Sequence, residues 1–513
     1  MPVAENLIKV SSKSINWLLS ERADMLAFFC GLVYNLFVRG SVCMQVPNML
    51  EAKKRDKNAL IENYNYKEVK LDESLVGKKY YVRTYGCQMN VHDGERVKGV
   101  LSSQGMIETD DLNEASIAIL NTCAIRENAH DKVFGFLGLV KKLKETHNIL
   151  LGICGCMAQE ESVVNELMSK YKYVDFVFGT HNLDNMINVI NERINSGKQN
   201  VEVYSILGNI CEGIPEKRES KYSAWVDIQL GCDKFCTYCI VPYTRGTQRS
   251  RKKESIIKEV ESLKNEGYKE VTLLGQNVNA YGKDLYENYT LANLLEDVSK
   301  TNIERIRFVT SHPWDFTDEM IDVISKCDNV MPYVHLPIQS GSDRILKLMG
   351  RRYTKEEYIT LYNKIRNKVK DVSITTDIIV GFPGETESDF EETLDIVNTC
   401  KFDGAFTFIF SPRVGTPASK LPDNTTKEEK ESRLHKLNEL VNKYSNLSNQ
   451  AILNKVVKCL VTSVSEKDNS KYMGYTENMK LVNIESDMDI IGEIVNVKIT
   501  EAKSFSLNGV HVK

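Results

Sequence analysis

The nine residues GCDKFCTYC (231–239) decide the fold. They set Cys232, Cys236 and Cys239 in a C-x3-C-x2-C array directly after an apolar run, AWVDIQL (224–230). Three thiolates this close can converge on one soft metal centre, and three leave one coordination position open. Such an array at a strand end calls for a fold that gathers its strand ends on one face.

Downstream, strands are predicted at 224–230, 270–275, 305–310, 332–336, 372–381 and 404–410. Helical stretches separate them at 252–266, 291–300, 317–326, 342–349 joined to 355–368, and 386–399. Six βα units predict a partial barrel whose ligand face is the carboxyl end of its strands. The three cysteines fall on that face. So do Gly275, Gln276 and Asn277; Ser311, His312 and Pro313; Gln339, Ser340 and Gly341; Gly381, Phe382, Pro383, Gly384, Glu385 and Thr386; and Ser411, Pro412 and Arg413. Each group alone also fits a turn or a helix start. Together, on one rim, they make a candidate site. His312 and His335 are read as polar-contact or core residues, because the cysteine set is complete without them.

Upstream, KYYVRTY (79–85), SIAILNT (116–122), NILLGI (148–153) and VDFVFGT (174–180) read as strands alternating with helices at 91–105, 126–147, 158–170 and 182–195. That alternation predicts a parallel sheet covered on both faces. Cys87, Cys123 and Cys156 follow three successive strands, so they share the sheet's carboxyl edge and predict a second three-thiolate cluster. Cys156 is preferred to Cys154 because it lies beyond the strand, after Gly155; whether Cys154 can replace it stays open. Structural zinc takes four ligands, which neither set supplies. Two incomplete sets favour two [4Fe–4S] clusters, each with one vacant iron position.

The rest of the chain carries less chemistry. Residues 1–75 form an extension of unassigned role, and its apolar stretch MLAFFCGLVYNLFV (25–38) falls short of the ~20 residues a membrane span needs. It reads as a buried or interfacial helix, and Cys30 and Cys43 as plain thiols. A polar stretch at 197–222 reads as a linker in which Cys211 is incidental. After a helix from about 427, alternating segments predict a small β-barrel of RNA-binding or capping role, with Tyr472, Tyr475 and Asn478 as candidates for stacking or hydrogen bonding. Arg245, Arg249, Arg251, Lys252 and Lys253, then Arg351 and Arg352, read as a solvated face or a phosphate-binding patch. Thirteen cysteines and no secretory layout in residues 1–20 argue for a reducing compartment. At a net charge of −4, a polyanion would be held by local patches. The expected class is a multidomain α/β protein: 1–75 extension, 76–196 α/β domain, 197–222 linker, 223–448 partial barrel, 449–513 small β-barrel.

GCDKFCTYC resembles the radical S-adenosylmethionine signature. Its combination with YGCQMN (85–90), NTCAIREN (121–128) and GCMAQ (155–159) is similar to the methylthiotransferases. LLGQNVNAYG (273–282), RFVTSHPWDF (307–316), HLPIQSGSDRILKLMGRRYT (335–354) and FSPRVGTPA (410–418) resemble the MiaB-type branch, whose substrate is tRNA carrying N6-dimethylallyladenosine (isopentenyladenosine) at position 37. The alternative branches act on threonylcarbamoyladenosine in tRNA or on a ribosomal protein aspartate; Gln88-Met89-Asn90 argues against the last. The terminal barrel resembles a TRAM domain, which in this family implies RNA binding. The resemblance implies that Cys232, Cys236 and Cys239 ligate the cluster that cleaves S-adenosylmethionine. It implies that Cys87, Cys123 and Cys156 ligate an auxiliary cluster carrying the sulfur. Gly275, Gln276, Asn277, Gly381, Gly384 and Glu385 are then expected to line the S-adenosylmethionine site. A cytoplasmic monomer is expected, working on the tRNA anticodon stem-loop without a membrane, with an outside electron donor and sulfur source that the sequence does not identify.

Overall fold

The computed structural model describes residues 43–44, 63–124, 127–203 and 210–513. The apolar stretch 25–38, with Cys30, lies outside the described residues, as do Ile125 and Arg126.

A parallel sheet forms the first domain. Its strands run in the order Cys43–Met44, Asn200–Val203, Phe176–Phe178, Leu150–Gly155, Ile117–Thr122, Lys79–Tyr85, Ile107–Glu108, and every neighbouring pair is parallel. The four strands expected from the sequence are its centre. Ile117–Thr122 is buried at every position, as a strand covered on both faces must be. The stretch read as a linker is more ordered than its composition suggested. Asn200–Val203 extends the sheet, and Ile210–Glu212 pairs with Asn63–Asn65 from the N-terminal extension. These pieces are only three or four residues long, too short to show a hydrophobic period.

The second domain has the six expected strands in two parallel triplets. Ser223–Asp227, Glu270–Leu274 and Arg305–Phe308 form one, and Tyr333–His335, Ser373–Val380 and Gly404–Ile409 the other. A parallel bridge between Ile306 and Val330 joins them. Alternate residues (Ala224, Val226; Val271, Leu273; Ile306, Phe308; Ile374, Ile378, Val380) turn outward onto the helices in one core. Each valine, leucine, isoleucine or phenylalanine among them, once buried, contributes about 1.5–3 kcal/mol. The helix Lys427–Gln450 closes this layer. A capping box of Thr426 and Glu429 starts it, and Leu437, Val441 and Tyr444 on one face meet the core.

The third domain is a closed five-stranded barrel, ordered Val456–Ser465, Asp468–Thr476, Leu481–Glu485, Leu507–Val512, Ile494–Ala502. It docks at the amino ends of the central strands. Arg305 donates to the carbonyls of Tyr475 (2.9 Å) and Lys458 (3.2 Å). Arg307 donates to Glu477 (2.8 Å) and Thr476 (2.8 Å), while its Nε holds Glu270 at 2.7 Å. Tyr475 and Asn478 therefore face the central domain, where the Asn478 amide also reaches the Asp371 carbonyl at 3.4 Å, and Tyr472 packs on the small barrel's own core. The expectation that Tyr475 and Asn478 await RNA is corrected: the interface that seats the barrel engages both. Replacing Arg307 by Ala removes the cation from buried Glu270 and two of the docking bonds. Chemical denaturation of the variant is expected to show a loss of about 3 kcal/mol, with faster amide exchange across 475–478.

Candidate active site: two cysteine centres at facing sheet edges

Cys87, Cys123 and Cys156 each stand just past a strand, and the structure brings them to one edge. Cys87 is the N-cap of the helix Gln88–Ser103, so it sits where the helix presents unpaired amides. The Cys87 and Cys156 sulfurs lie 3.6 and 3.7 Å from Asn90 Oδ1. A Cβ on Gly86 would come within 2.6 Å of the Cys123 Cβ, and its φ of +150° suits glycine, so residue 86 lets the two cysteine loops touch. A hydrogen bond with Cys123, opposed by burial and aided by the amides of Asn90 and Met89 and by Arg245, brings the Cys87 thiol down to about 6. Burial pushes Cys156 up to about 11, against the pull of Arg245. Cys154 does not join them. It is on the strand, packed with Ile117, Ile119 and Phe176, whereas Cys156 packs with Ala124, Ile240 and Tyr243.

The second set is shaped by its own loop. Gly231 turns at φ +76°, and a Cβ there would lie 2.0 Å from the Thr247 carbonyl oxygen. Its amide donates to Gln276 Oε1, so the second rim segment fixes the start of the cysteine loop. Thr237 anchors the middle: its amide donates to Met349 O (2.9 Å) and its hydroxyl to Leu348 O (2.7 Å). Arg351 lies beneath, donating to Pro337 O at 2.8 Å and reaching Cys236 Sγ at 3.6 Å. Burial pushes Cys232 up to about 12 and raises Cys239 further. Among the described residues, no three His, Cys, Asp or Glu side chains close around a single metal ion.

One arginine spans both sets. Arg245 follows the Cys232 loop; its Nε donates to Cys156 Sγ at 3.0 Å and its Nη2 to Asp93 Oδ2 at 2.5 Å. The helix Gln88–Ser103, which carries Asp93, also grips the central domain through His92 and Arg96. His92 meets Asp227 at 2.8 Å and Glu216 at 3.0 Å, and Arg96 meets Asp227 at 2.6 Å and Glu216 at 3.1 Å.

The other rim residues are partly engaged. Asn277 Nδ2 donates to Asp315 (2.8 Å), leaving its buried Oδ1 unpartnered. Glu385 Oε2 accepts from the Gly381 amide (2.7 Å) and Arg433 (2.9 Å), leaving Oε1 unpartnered. Burial raises the Glu385 carboxyl above the usual range, against those two donors. The Gly384 carbonyl accepts from Arg344 at 2.6 Å, and Gly275 packs against Gln229 and Val278. Ser311 adds a third unpartnered buried oxygen on this rim.

Three family descriptions match the chain: the Radical SAM superfamily over residues 226–397, the uncharacterized protein family UPF0004 over 79–179, and the TRAM domain over 450–512. It is 50% identical over 470 residues to the tRNA-2-methylthio-N(6)-dimethylallyladenosine synthase of Staphylococcus haemolyticus, covering 91% of each chain. It is 49% identical over 475 residues to the synthase of that name from Staphylococcus epidermidis, covering 91% of this chain and 92% of that one. The chain belongs to the tRNA-2-methylthio-N(6)-dimethylallyladenosine synthase family. Among solved structures it is similar to the radical S-adenosylmethionine methyltransferase TsrM from Kitasatospora setae, at 13% identity and TM-score 0.49, covering 67% of this chain and 75% of that one.

In this synthase family member four arginines of the basic stretches are out of reach of a phosphate, while Lys252 and Arg352 stay exposed and Lys253 half-buried. Arg245, Arg249, Arg251 and Arg351 are buried. Arg251 pairs with Glu212 and Glu259, and Arg249 donates to the Arg245 carbonyl at 2.9 Å. The run read as exposed because its acidic partners lie elsewhere in the chain. His312 and His335 make polar contacts, with the Trp314 amide and with Thr375 and Asp377. The sequence reading missed His92, Asp93 and Arg96; the signal available was a polar stripe at positions one and four apart, directly after Cys87.

His92 supplies a pH signature. Burial opposes its charge, but Asp227 and Glu216 outweigh burial and raise it to about 9. Its folded value exceeds the ordinary 6.5, so its contribution is complete below that pH and is lost as pH rises through about 9. Between pH 6.5 and 9.5 the wild type is expected to lose about 3 kcal/mol relative to His92→Gln, measured by denaturation at each pH. Parallel curves would show that His92 is neutral in the folded protein.

Proposed function

We propose that this chain methylthiolates C2 of N6-dimethylallyladenosine at position 37 of tRNA, with the two cysteine sets as its two [4Fe–4S] sites. The observation that carries this reading is Arg245, which touches the Cys156 sulfur from the end of the short helix Val241–Thr244 that follows the loop bearing Cys232, Cys236 and Cys239. The donor chemistry fits: each centre offers three thiols with a buried guanidinium alongside, Arg245 at one and Arg351 at the other. When bound, the cofactors supply reductive cleavage of S-adenosylmethionine at one site and the sulfur to be transferred at the other.

The chain's own residues do the rest. Arg245 and Arg351 offset the charge of three thiolates in a buried setting. Ala124, Ile240, Tyr243 and Phe235 pack between the centres and keep water from that space. Asn277 Oδ1, Glu385 Oε1 and Ser311 Oγ offer unpartnered polar atoms to S-adenosylmethionine, and Gln276 positions the cysteine loop through Gly231. The anticodon loop can splay its base into such a site. Both cysteine sets come from one chain, which supports action as a monomer. No helix among the described residues is long and apolar enough to cross a membrane, and a tRNA substrate supports a cytoplasmic setting.

Two measurements test the assignment. Iron and sulfide analysis of the reconstituted protein is expected to give about eight iron per chain; zinc alone would contradict the reading. With S-adenosylmethionine, reductant and a dimethylallyl-bearing anticodon stem-loop, Cys87→Ala is expected to keep cleaving S-adenosylmethionine while the methylthio product drops at least about a hundredfold. Cys232→Ala is expected to lose both. Equal loss of both in Cys87→Ala means that the two centres do not have separate roles.

A further inference from the structure

The last strand of the central barrel carries an aromatic surface that the site described so far does not use. Phe406 and Phe408 on Gly404–Ile409 are 56% and 40% exposed. Their neighbours Ala405 and Ile409 pack on the main core, and Thr407 donates to Asn438 of the helix Lys427–Gln450 at 2.5 Å. The helix layer is on that side, so Phe406 and Phe408 face the barrel interior. Phe406 stands opposite Asp377 and Phe408 opposite Ile379 on the adjacent strand. Ile379 packs against the same small core (Ile345, Met349, Phe382, Phe410, Ala418) as Tyr238, one of the two residues between Cys236 and Cys239. At the other end the His335 ring lies edge-on to Phe406, centroids 5.9 Å apart, with its Nε2 3.3 Å from Asp377. An apolar ledge thus starts at the cysteine loop, runs through Ile379, Phe408 and Phe406, and stops at a polar pair. Gly404–Ile409 is an edge strand, so the ledge lies beside the barrel's open side.

We propose that Phe406 and Phe408 hold the dimethylallyl group of the substrate base and are the specificity residues that separate prenylated from unmodified adenine. The proposal rests on the function argued above. The dimethylallyl group is a five-carbon apolar substituent on N6. C2 and the N6 substituent leave the purine ring in different directions, so C2 can face the cysteine loop while the prenyl tail lies along the ledge. Exposed phenylalanines gain most from an apolar partner that removes their surface from water, and one missing apolar group in such a pocket changes affinity by about ten- to two-hundredfold.

The test uses the full chain with its clusters reconstituted and two synthetic anticodon stem-loops that differ only in the dimethylallyl group. Binding is read by fluorescence anisotropy. Wild type is expected to favour the prenylated RNA by at least about tenfold, and the double variant Phe406→Ala with Phe408→Ala to cut that preference to within about threefold. Phe406→Leu, which keeps an apolar side chain, is expected to retain most of it. A double variant that keeps the preference overturns the proposal, as does one whose loss falls equally on both RNAs or on S-adenosylmethionine affinity. If wild type methylthiolates neither RNA, the functional reading fails and the ledge with it. If wild type modifies the prenylated RNA while the double variant keeps its preference, the ledge alone fails.

Discussion

The Arg245 guanidinium is the contact on which the two-centre arrangement depends. It is buried, and taking a cation out of water costs several kcal/mol unless anionic partners repay it. Asp93 is that anionic partner, the Cys156 sulfur accepts from Nε on the other side, and both belong to the first domain. Arg249 holds the Arg245 carbonyl, so the loop is fixed through its backbone as well as its side chain. The His92–Asp227 and Arg96–Glu216 contacts repeat the pattern on the same helix. Charges that would destabilise either domain alone become a latch when the two meet.

That latch sets the carboxyl edges of two sheets toward each other, each carrying three cysteines. Open α/β sheets and barrels both collect ligands at this edge, so facing them makes one site from two. The small C-terminal barrel is fastened at the opposite ends of the central strands through Arg305 and Arg307. The strand Ser373–Val380, eight residues long, spans roughly 26 Å between those ends.

Much of this was legible in the sequence because it is local. The six central strands and the four strands at the centre of the first sheet announce themselves by apolar runs with helical patterns between. The preference for Cys156 over Cys154 followed from one residue of strand geometry, and the two side chains do pack in different cores. What was illegible is long-range pairing of charge. His92 and Asp227 are 135 positions apart, and Arg245 and Asp93 are 152. Nothing within either segment distinguishes a buried arginine from a solvated one, so Arg245, Arg249, Arg251 and Arg351 read as surface. Glu385 shows the same limit: its place on the rim was visible, but its bond to Arg433, 48 positions on, was not.

The most direct test of this arrangement is the ratio of methylthiolated RNA formed to S-adenosylmethionine cleaved in Arg245→Met. The methionine keeps the bulk and removes the charge that ties the Cys232 loop to Cys156 and Asp93. With iron content still near that of wild type, cleavage is expected to persist while the ratio falls by about a hundredfold, the scale of loss when reacting groups shift by about an ångström. An unchanged ratio in a variant with full iron content would contradict a bridging role for Arg245.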